Sequence, residues 1–243
     1  MFRKQRPRAA IVDLDGTLVN SVDAHARAWV AAFREAGFDV SIDQVRSLLG
    51  MPPDQLLAHL LGLPRNSEDA KAIRRSRAEI FRTRFLGKIT PFLGARDLLE
   101  KLKRQDTRIT VAASNSESET SGLLVVAGVA DLVDEVVTVD DARRFTPEAD
   151  LIQVAIRYAG SPRDATIVLG DTPFDVESGR RAGASVIAFR CGGWGDAALV
   201  GATAIYDDPR DLLNHFSSSP FCPVPSVEYA ARPISVFQPA RAM

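Results

Sequence analysis

Apolar and polar positions follow two rhythms along the chain. The first apolar run, Ala9 to Val12, is short and unbroken and ends at Asp13-Leu14-Asp15-Gly16-Thr17. Such a run, closed by glycine, predicts a buried strand. Val22 to Gly37 then sets Val22, Trp29 and Phe33 at helical spacing, with Asn20 or Ser21 placed to cap the start and Gly37 to stop it. Gly50-Met51-Pro52-Pro53 marks a turn, after which Asp54 is placed to cap a short helix through Leu56, Leu57, Leu60 and Leu61. Ser67 to Phe85 reads as a charged helix with Ile73, Ile80, Phe81 and Phe85 on its apolar side. Residues 20–86 are thus expected to be wholly helical and inserted directly after the first strand.

From Pro91 onward the two rhythms alternate. Helices are predicted at 95–104, 117–127, 147–159, 173–182 and 209–216. Strands are predicted at 108–113, 133–139, 166–169 and 185–189, with an edge strand at 202–206. This alternation implies right-handed crossovers and an α/β fold whose parallel sheet is covered on both faces. Ser217 to Met243 has no helical period and contains Pro220, Pro223, Pro225, Pro233 and Pro239. It reads as an extended tail that Phe221, Val227 and Phe237 could dock. The expected organisation is a core of residues 1–19 and 87–216, a helical cap of 20–86 and a tail of 217–243.

Composition narrows the function classes. Of the 243 residues 46% are apolar, enough for a sizeable core, and 30 Lys plus Arg balance 31 Asp plus Glu. A net charge of −1 offers no electrostatic reason to expect nucleic acid or a membrane surface as partner. Cys191 and Cys222 form neither a disulfide framework nor metal-ligand spacing. The basic start MFRKQRPR precedes an apolar run too short for a signal or spanning segment. A reduced, cytoplasmic setting is the expectation.

The candidate chemistry lies at strand ends. Asp13 and Asp15 are two apart at the carboxyl end of the first strand, where open α/β sheets place their ligands. On a regular strand both would point to one face, and such close charges repel unless a cation or proton intervenes. Ser114, with Asn115 after it, ends another strand just before a helix, where a hydroxyl and helix amides can bind phosphoryl oxygens. Plain capping is the alternative there, with Ser116 and Glu119 making a capping box. In Val168 to Asp175, VLGDTPFD, Asp171 stands at a strand exit and can bind a hard cation through oxygen. Asp175 could join it, or could cap a helix with Thr172 and Pro173. No G-x-G-x-x-G follows the first strand, so nothing points to a nicotinamide cofactor.

D-x-D-G-T-L after a buried strand, a later strand ending in Ser114, and G-D-x-x-x-D at Gly170 to Asp175 together resemble the haloacid dehalogenase (HAD) superfamily, in its phosphoglycolate phosphatase and β-phosphoglucomutase-like branch. The likeness spans about residues 8–216. It implies a Rossmann-like core with a small helical cap of the first cap type. It also implies phosphomonoester hydrolysis of a small phosphorylated metabolite by a monomer or homodimer. In that scheme Asp13 attacks phosphorus and forms an aspartyl-phosphate, while Asp15 acts as acid and then base. Mg²⁺ is held by Asp13, the backbone carbonyl of Asp15 and Asp171, with Asp175 beside them. Thr17, Ser114 and Asn115 surround the phosphoryl group. His25, before Ala28-Trp29, matches the position of a cap histidine in sugar-phosphate members, while Arg46 reads as a surface charge or a substrate contact.

One motif departs from the family. Aligning Pro147 and Asp150 with its Pro-x-Pro-Asp stretch puts Thr146 where the charge-balancing lysine belongs. Arg144, or its neighbour Arg143, is the expected substitute; a guanidinium stays charged and grips phosphate bidentately. Two alternatives stay open. One is a mutase resembling β-phosphoglucomutase, although Pro52-Pro53 stands where such mutases carry a substrate-binding arginine. The other is a weakly active or inactive protein that binds a phosphorylated ligand. A phosphonate-cleaving enzyme would want a cap lysine in an apolar setting, which neither Lys71 nor Lys88 has.

Overall fold

The computed structural model describes residues 7–141 and 150–222. Its centre is a sheet of six parallel strands: β1 (Ala9–Val12), β2 (Arg108–Ala113), β3 (Glu135–Thr138), β4 (Thr166–Gly170), β5 (Ser185–Phe189) and β6 (Ala204–Tyr206). The order is β3-β2-β1-β4-β5-β6. The chain winds from β1 to one side and then crosses back to the other, which opens a crevice at the carboxyl ends beside β1. Register fixes what meets there. Val12 pairs with both Val111 and Leu169, and the Asp13 N–H donates to the Leu169 carbonyl at 2.8 Å. The residues just past these three strands, Asp13, Ser114 and Asp171, therefore share one edge.

Alternation along β1 sends Ala10 and Val12 to one apolar layer and Ala9 and Ile11 to the other. The first layer is closed by α5 (Ala95–Lys103), α6 (Glu117–Ala127) and α9 (Pro209–Asn214). The second is closed by α7 (Leu151–Ala159) and α8 (Pro173–Ala182). With both faces covered, the strands carry unbroken apolar runs rather than alternating ones.

The insert after β1 is helical, as the periodicity predicts. It comprises α1 (Val22–Glu35), α2 (Ile42–Arg46), α3 (Pro53–Leu61) and α4 (Glu68–Ile80), then a π turn over Phe81–Phe85. It enters and leaves at one point. The Asn20 N–H donates to Thr90 O and the Phe92 N–H to Leu18 O, both at 2.9 Å.

Local differences from the sequence reading have local causes. α2 is not among the predicted helices; a capping box between Ser41 and Gln44 starts it. The predicted 67–85 helix ends at Ile80 because the chain widens into the π turn that buries Phe81. Asp54 is not a cap. Pro52 holds that position, and the Asp54 carboxylate turns to Arg65 Nε at 2.9 Å and Arg74 at 2.7 Å. β3 and β6 are shorter than predicted, and the last helix ends at Asn214. α7 starts at Leu151, where Asp150 accepts from the Ile152 and Gln153 amides; the predicted start at Pro147 lies outside the described residues. Phe221 is buried and stacks on Phe216, whereas Val227 and Phe237 lie outside the described residues. Among the described residues no helix is long and apolar enough to cross a membrane.

Candidate active site

Three carboxylates converge in the crevice. One oxygen each from Asp13, Asp171 and Asp175 lies within 4.8 Å of the others. Asp13 follows β1, Asp171 follows β4, and Asp175 sits in the first turn of α8. Asp175 keeps its capping role as well: Thr172 and Asp175 make a full capping box. Burial pushes the carboxyl of Asp13 well above its usual range, and the charges of Asp175, Asp171 and Asp15 add to the shift. Asp171 is raised well above it too, by burial and then by Asp175, and Asp175 is raised by burial. Among the described residues no Lys or Arg forms an ion pair with any of the three.

The arrangement fits a hard divalent cation. All donors are oxygens, as Mg²⁺ requires. Asp171 Oδ1 accepts from Thr17 Oγ1 at 2.9 Å, but its Oδ2 is buried without a partner. Two backbones press on that carboxylate. A Cβ on Gly16 would stand 2.3 Å from Oδ2 and one on Gly192 only 1.7 Å away. Gly16 also has φ +80°, which glycine adopts without strain.

The cluster's electrostatics predict a stability effect. Between the unfolded carboxylate pKa near ~4 and the raised folded value, the unfolded chain sheds its proton first. Raising the pH through that window therefore costs the metal-free protein stability. Asp171→Asn keeps an acceptor for Thr17 and removes one charge. It should raise the metal-free melting temperature at pH 7.5 by ~3–6 °C, about 1–2 kcal/mol. The variant should also lose the Mg²⁺-induced rise expected of the wild type. Calorimetry with and without Mg²⁺ checks both; a lower metal-free value would show that the cluster is not strained by its charge.

Asp15 does not join the three. β1 ends at Val12 and the chain turns at Gly16, so the expectation that both carboxylates share a face fails. The Asp15 side chain reaches toward the helical insert. Its Oδ1 accepts from Ser21 Oγ at 2.5 Å and His25 Nε2 at 2.6 Å, and its Oδ2 from Asn115 Nδ2. Burial alone would raise this carboxyl. The contact with His25, the Ser21 hydrogen bond and the charge of Arg77 outweigh burial and hold it below the usual value. The Asp15 carboxylate is thus engaged away from the three-carboxylate cluster.

The remaining expectations divide. His25 is buried on the inward face of α1 and meets Asp15. The Thr17 hydroxyl donates to Asp171 and the Asn115 amide to Asp15, so both side chains hold carboxylates in place. Ser114 is half-buried and lines the cavity above the carboxylates. The Ser116–Glu119 capping box does not form, because Glu119 is taken by Arg77. Ser21 occupies the N-cap position of α1 but gives its hydroxyl to Asp15 instead of the helix. Arg46 is a surface residue paired with Asp23. Arg143, Arg144 and Thr146 lie outside the described residues.

Sequence reasoning misses three participants at the site, Ser21, Arg77 and Glu119, while the glycine-rich loop Cys191 to Gly195 reads from sequence as a tight loop near the pocket rim, and Gly192 and Trp194 do line the cavity. Arg77 carries a signal, since it falls in the Ile73–Ile80–Phe81 stripe of α4, where a charge needs a partner. The cavity between insert and core measures about 960 Å³. Asp13, Asp15 and Asp171 line its floor, and Trp29, Met51, Pro53, Phe174 and Trp194 line its walls.

Comparison with known proteins bears on the family and the fold. Residues 10–189 match the family model described as haloacid dehalogenase-like hydrolase. A validoxylamine A 7'-phosphate phosphatase from Streptomyces hygroscopicus is 27% identical over 180 residues, 72% of this chain and 82% of that protein. A phosphoglycolate phosphatase from Rhodospirillum rubrum is 27% identical over 216 residues, 85% of this chain and 89% of its own length. The crystal structure of a hydrolase from Pseudomonas syringae superposes with a TM-score of 0.80 at 29% identity, covering 88% of this chain and 99% of that one. With a parallel sheet, carboxylates at its switch point and a family model matched over most of the chain, the protein belongs to the haloacid dehalogenase-like hydrolases.

Proposed function

We propose that this hydrolase cleaves phosphate monoesters of small metabolites, with Asp13 as nucleophile and an aspartyl-phosphate as intermediate. The observation that carries the reading is the separation of roles among four carboxylates in the crevice, of which Asp171 is buried and the other three half-buried. Asp13, Asp171 and Asp175 face one another across the space for a cation, while Asp15 is turned aside and held by its own donors. Mg²⁺ held by Asp13, Asp171 and the Asp15 carbonyl, with Asp175 beside them, would neutralise phosphoryl oxygens and relieve the repulsion among the carboxylates.

The chain's own groups do the rest. Asp13 attacks phosphorus in line and the ester oxygen departs. Asp15 in its protonated form, which the surrounding donors disfavour at rest, gives that oxygen a proton and regains one from the water that hydrolyses the acyl phosphate. Ser114 offers its hydroxyl to a phosphoryl oxygen. The insert covers the site and excludes bulk water. Among its contacts with the core, Gly50 lies against Phe174 and Thr172, Arg77 against Glu119, and His25 against Asp15. The cavity of about 960 Å³, with Trp29, Phe174 and Trp194 among its lining, suits a ring-bearing alcohol better than a two-carbon acid.

The test is phosphate release from p-nitrophenyl phosphate, phosphoglycolate, glycerol 3-phosphate, glucose 6-phosphate and trehalose 6-phosphate, with Mg²⁺ and with EDTA. Metal-dependent release is expected, with kcat/KM for the sugar phosphates about tenfold or more above that for phosphoglycolate. A mutase would interconvert sugar phosphates without net phosphate release. Binding of phosphate analogues with no turnover of any compound would leave a binding protein and sink the hydrolase reading.

A further inference from the structure

Core and insert are joined by a chain of four side chains, three buried (Glu119, Arg77, His25) and one half-buried (Asp15), whose ends both lie in the core. Glu119, on α6, accepts from Arg77 at both oxygens, 2.8 and 2.7 Å. Arg77 comes from α4 of the insert, and its other terminal nitrogen lies 2.5 Å from His25 Nδ1. A guanidinium nitrogen can only donate, so Nδ1 accepts and the imidazole proton sits on Nε2. That Nε2 donates to Asp15 Oδ1 at 2.6 Å, back in the core.

The middle of the chain has little freedom. The Arg77 guanidinium lies 5.4 Å from the Trp29 ring centroid and 5.3 Å from that of Phe81. The His25 ring stacks on Phe81 at 4.1 Å, 3° from parallel. Stability alone does not call for such a device. A buried ion pair is commonly no better than apolar side chains of equal volume, and Arg77 Nε is left buried without a partner. What the pair supplies is geometry.

We infer that Glu119 and Arg77 are positioning residues for Asp15: the chain Glu119–Arg77–His25–Asp15 is completed only when the insert is seated, and it then orients the Asp15 carboxylate. The inference rests on the reading of Asp15 as proton donor to the leaving group. Neither Glu119 nor Arg77 takes a proton in this scheme. Glu119 anchors Arg77 from the core side, Arg77 selects the His25 tautomer, and His25 fixes one oxygen of Asp15 while Asn115 holds the other.

The signature is dependence on the leaving group. p-Nitrophenolate departs without a proton, whereas an alkoxide needs one. Glu119→Gln should lower kcat/KM by about tenfold or more for the alkyl phosphate that the wild type turns over fastest, and by no more than about threefold for p-nitrophenyl phosphate. A merely structural role would lower both alike. In the double variant Arg77→Met/Glu119→Gln no buried charge is left unpaired, so it should fold even if a single variant does not. If the two act in series, it should lose no more than Arg77→Met alone, within about twofold.

The His25 side-chain ¹⁵N shifts report the tautomer without turnover, and Arg77→Met should abolish the single Nε2–H form. Equal losses for both substrates, multiplying losses in the double variant, or an unchanged His25 tautomer in Arg77→Met would each overturn the inference. Failure of the hydrolase reading looks different: the wild type itself would not release p-nitrophenol in an Asp13-dependent way, while the ¹⁵N measurement would still decide the contact chain.

Discussion

Asp13→Asn should lower kcat for p-nitrophenyl phosphate by about a thousandfold or more while leaving the protein folded. The amide has the shape of the carboxylate but cannot attack phosphorus. The substitution removes one of three carboxylates whose oxygens crowd within 4.8 Å. The metal-free variant should therefore melt no lower than the wild type, which separates lost chemistry from lost structure. The wild type should show a burst of p-nitrophenol and acid-stable, hydroxylamine-labile phosphate on the protein; the variant should show neither. Asp15→Asn differs in kind. It keeps the nucleophile, so phosphorylation by p-nitrophenyl phosphate should persist while hydrolysis of the acyl phosphate slows and labelled protein accumulates. If Asp13→Asn kept activity within about tenfold of wild type, another group would have to be the nucleophile, and the assignment of the three-carboxylate cluster would fall with it.

How far the sequence discloses this site depends on the range of the interactions that build it. β1 and β4 are short, buried on both faces and closed by Gly16 and Gly170, so their apolar runs stand out from the chain around them. Parallel pairing then forces Asp13 and Asp171 to the same edge, which explains why residues so distant in sequence can be grouped from pattern alone. The Thr172–Asp175 box is legible for a simpler reason, since both partners lie in one turn.

Reasoning confined to neighbours fails where a distant partner offers more. Glu119 is correctly spaced to close a box with Ser116, yet a charged guanidinium nitrogen from the insert, donating to both of its oxygens, outcompetes one backbone amide. Ser21 likewise forgoes the first turn of α1 for the Asp15 carboxylate. The rule that residues two apart share a face holds only while the strand lasts. β1 ends at Val12, and the turn at Gly16 parts Asp15 from Asp13. That divergence is invisible in the pattern, and it is what gives the two carboxylates different surroundings and opposite shifts.

The loop after β5, Cys191-Gly192-Gly193, shows how much of the site depends on a residue with no chemistry of its own. Cys191 Sγ donates to Gly16 O at 3.2 Å and its N–H to Asp207 O at 2.9 Å, which pins the loop against the crevice. A Cβ at Gly192 would lie 1.7 Å from Asp171 Oδ2 and 2.3 Å from its Cγ, and Gly16 blocks retreat on the other side. Gly192→Ala must therefore move either Asp171 or the loop. It should cost about 1–3 kcal/mol, weaken Mg²⁺ binding by at least about tenfold and lower kcat/KM by about a hundredfold. Gly193→Ala is the informative partner. Gly193 has φ +99°, and a Cβ there would meet nothing within 4 Å, so its substitution strains the backbone without touching Asp171. It should lower the melting temperature by a few degrees, about 1 kcal/mol, and leave the Mg²⁺ titration near that of the wild type. Should the two variants bind Mg²⁺ equally well, the contact with Gly192 does not set Asp171, and the loop would be a packing element alone.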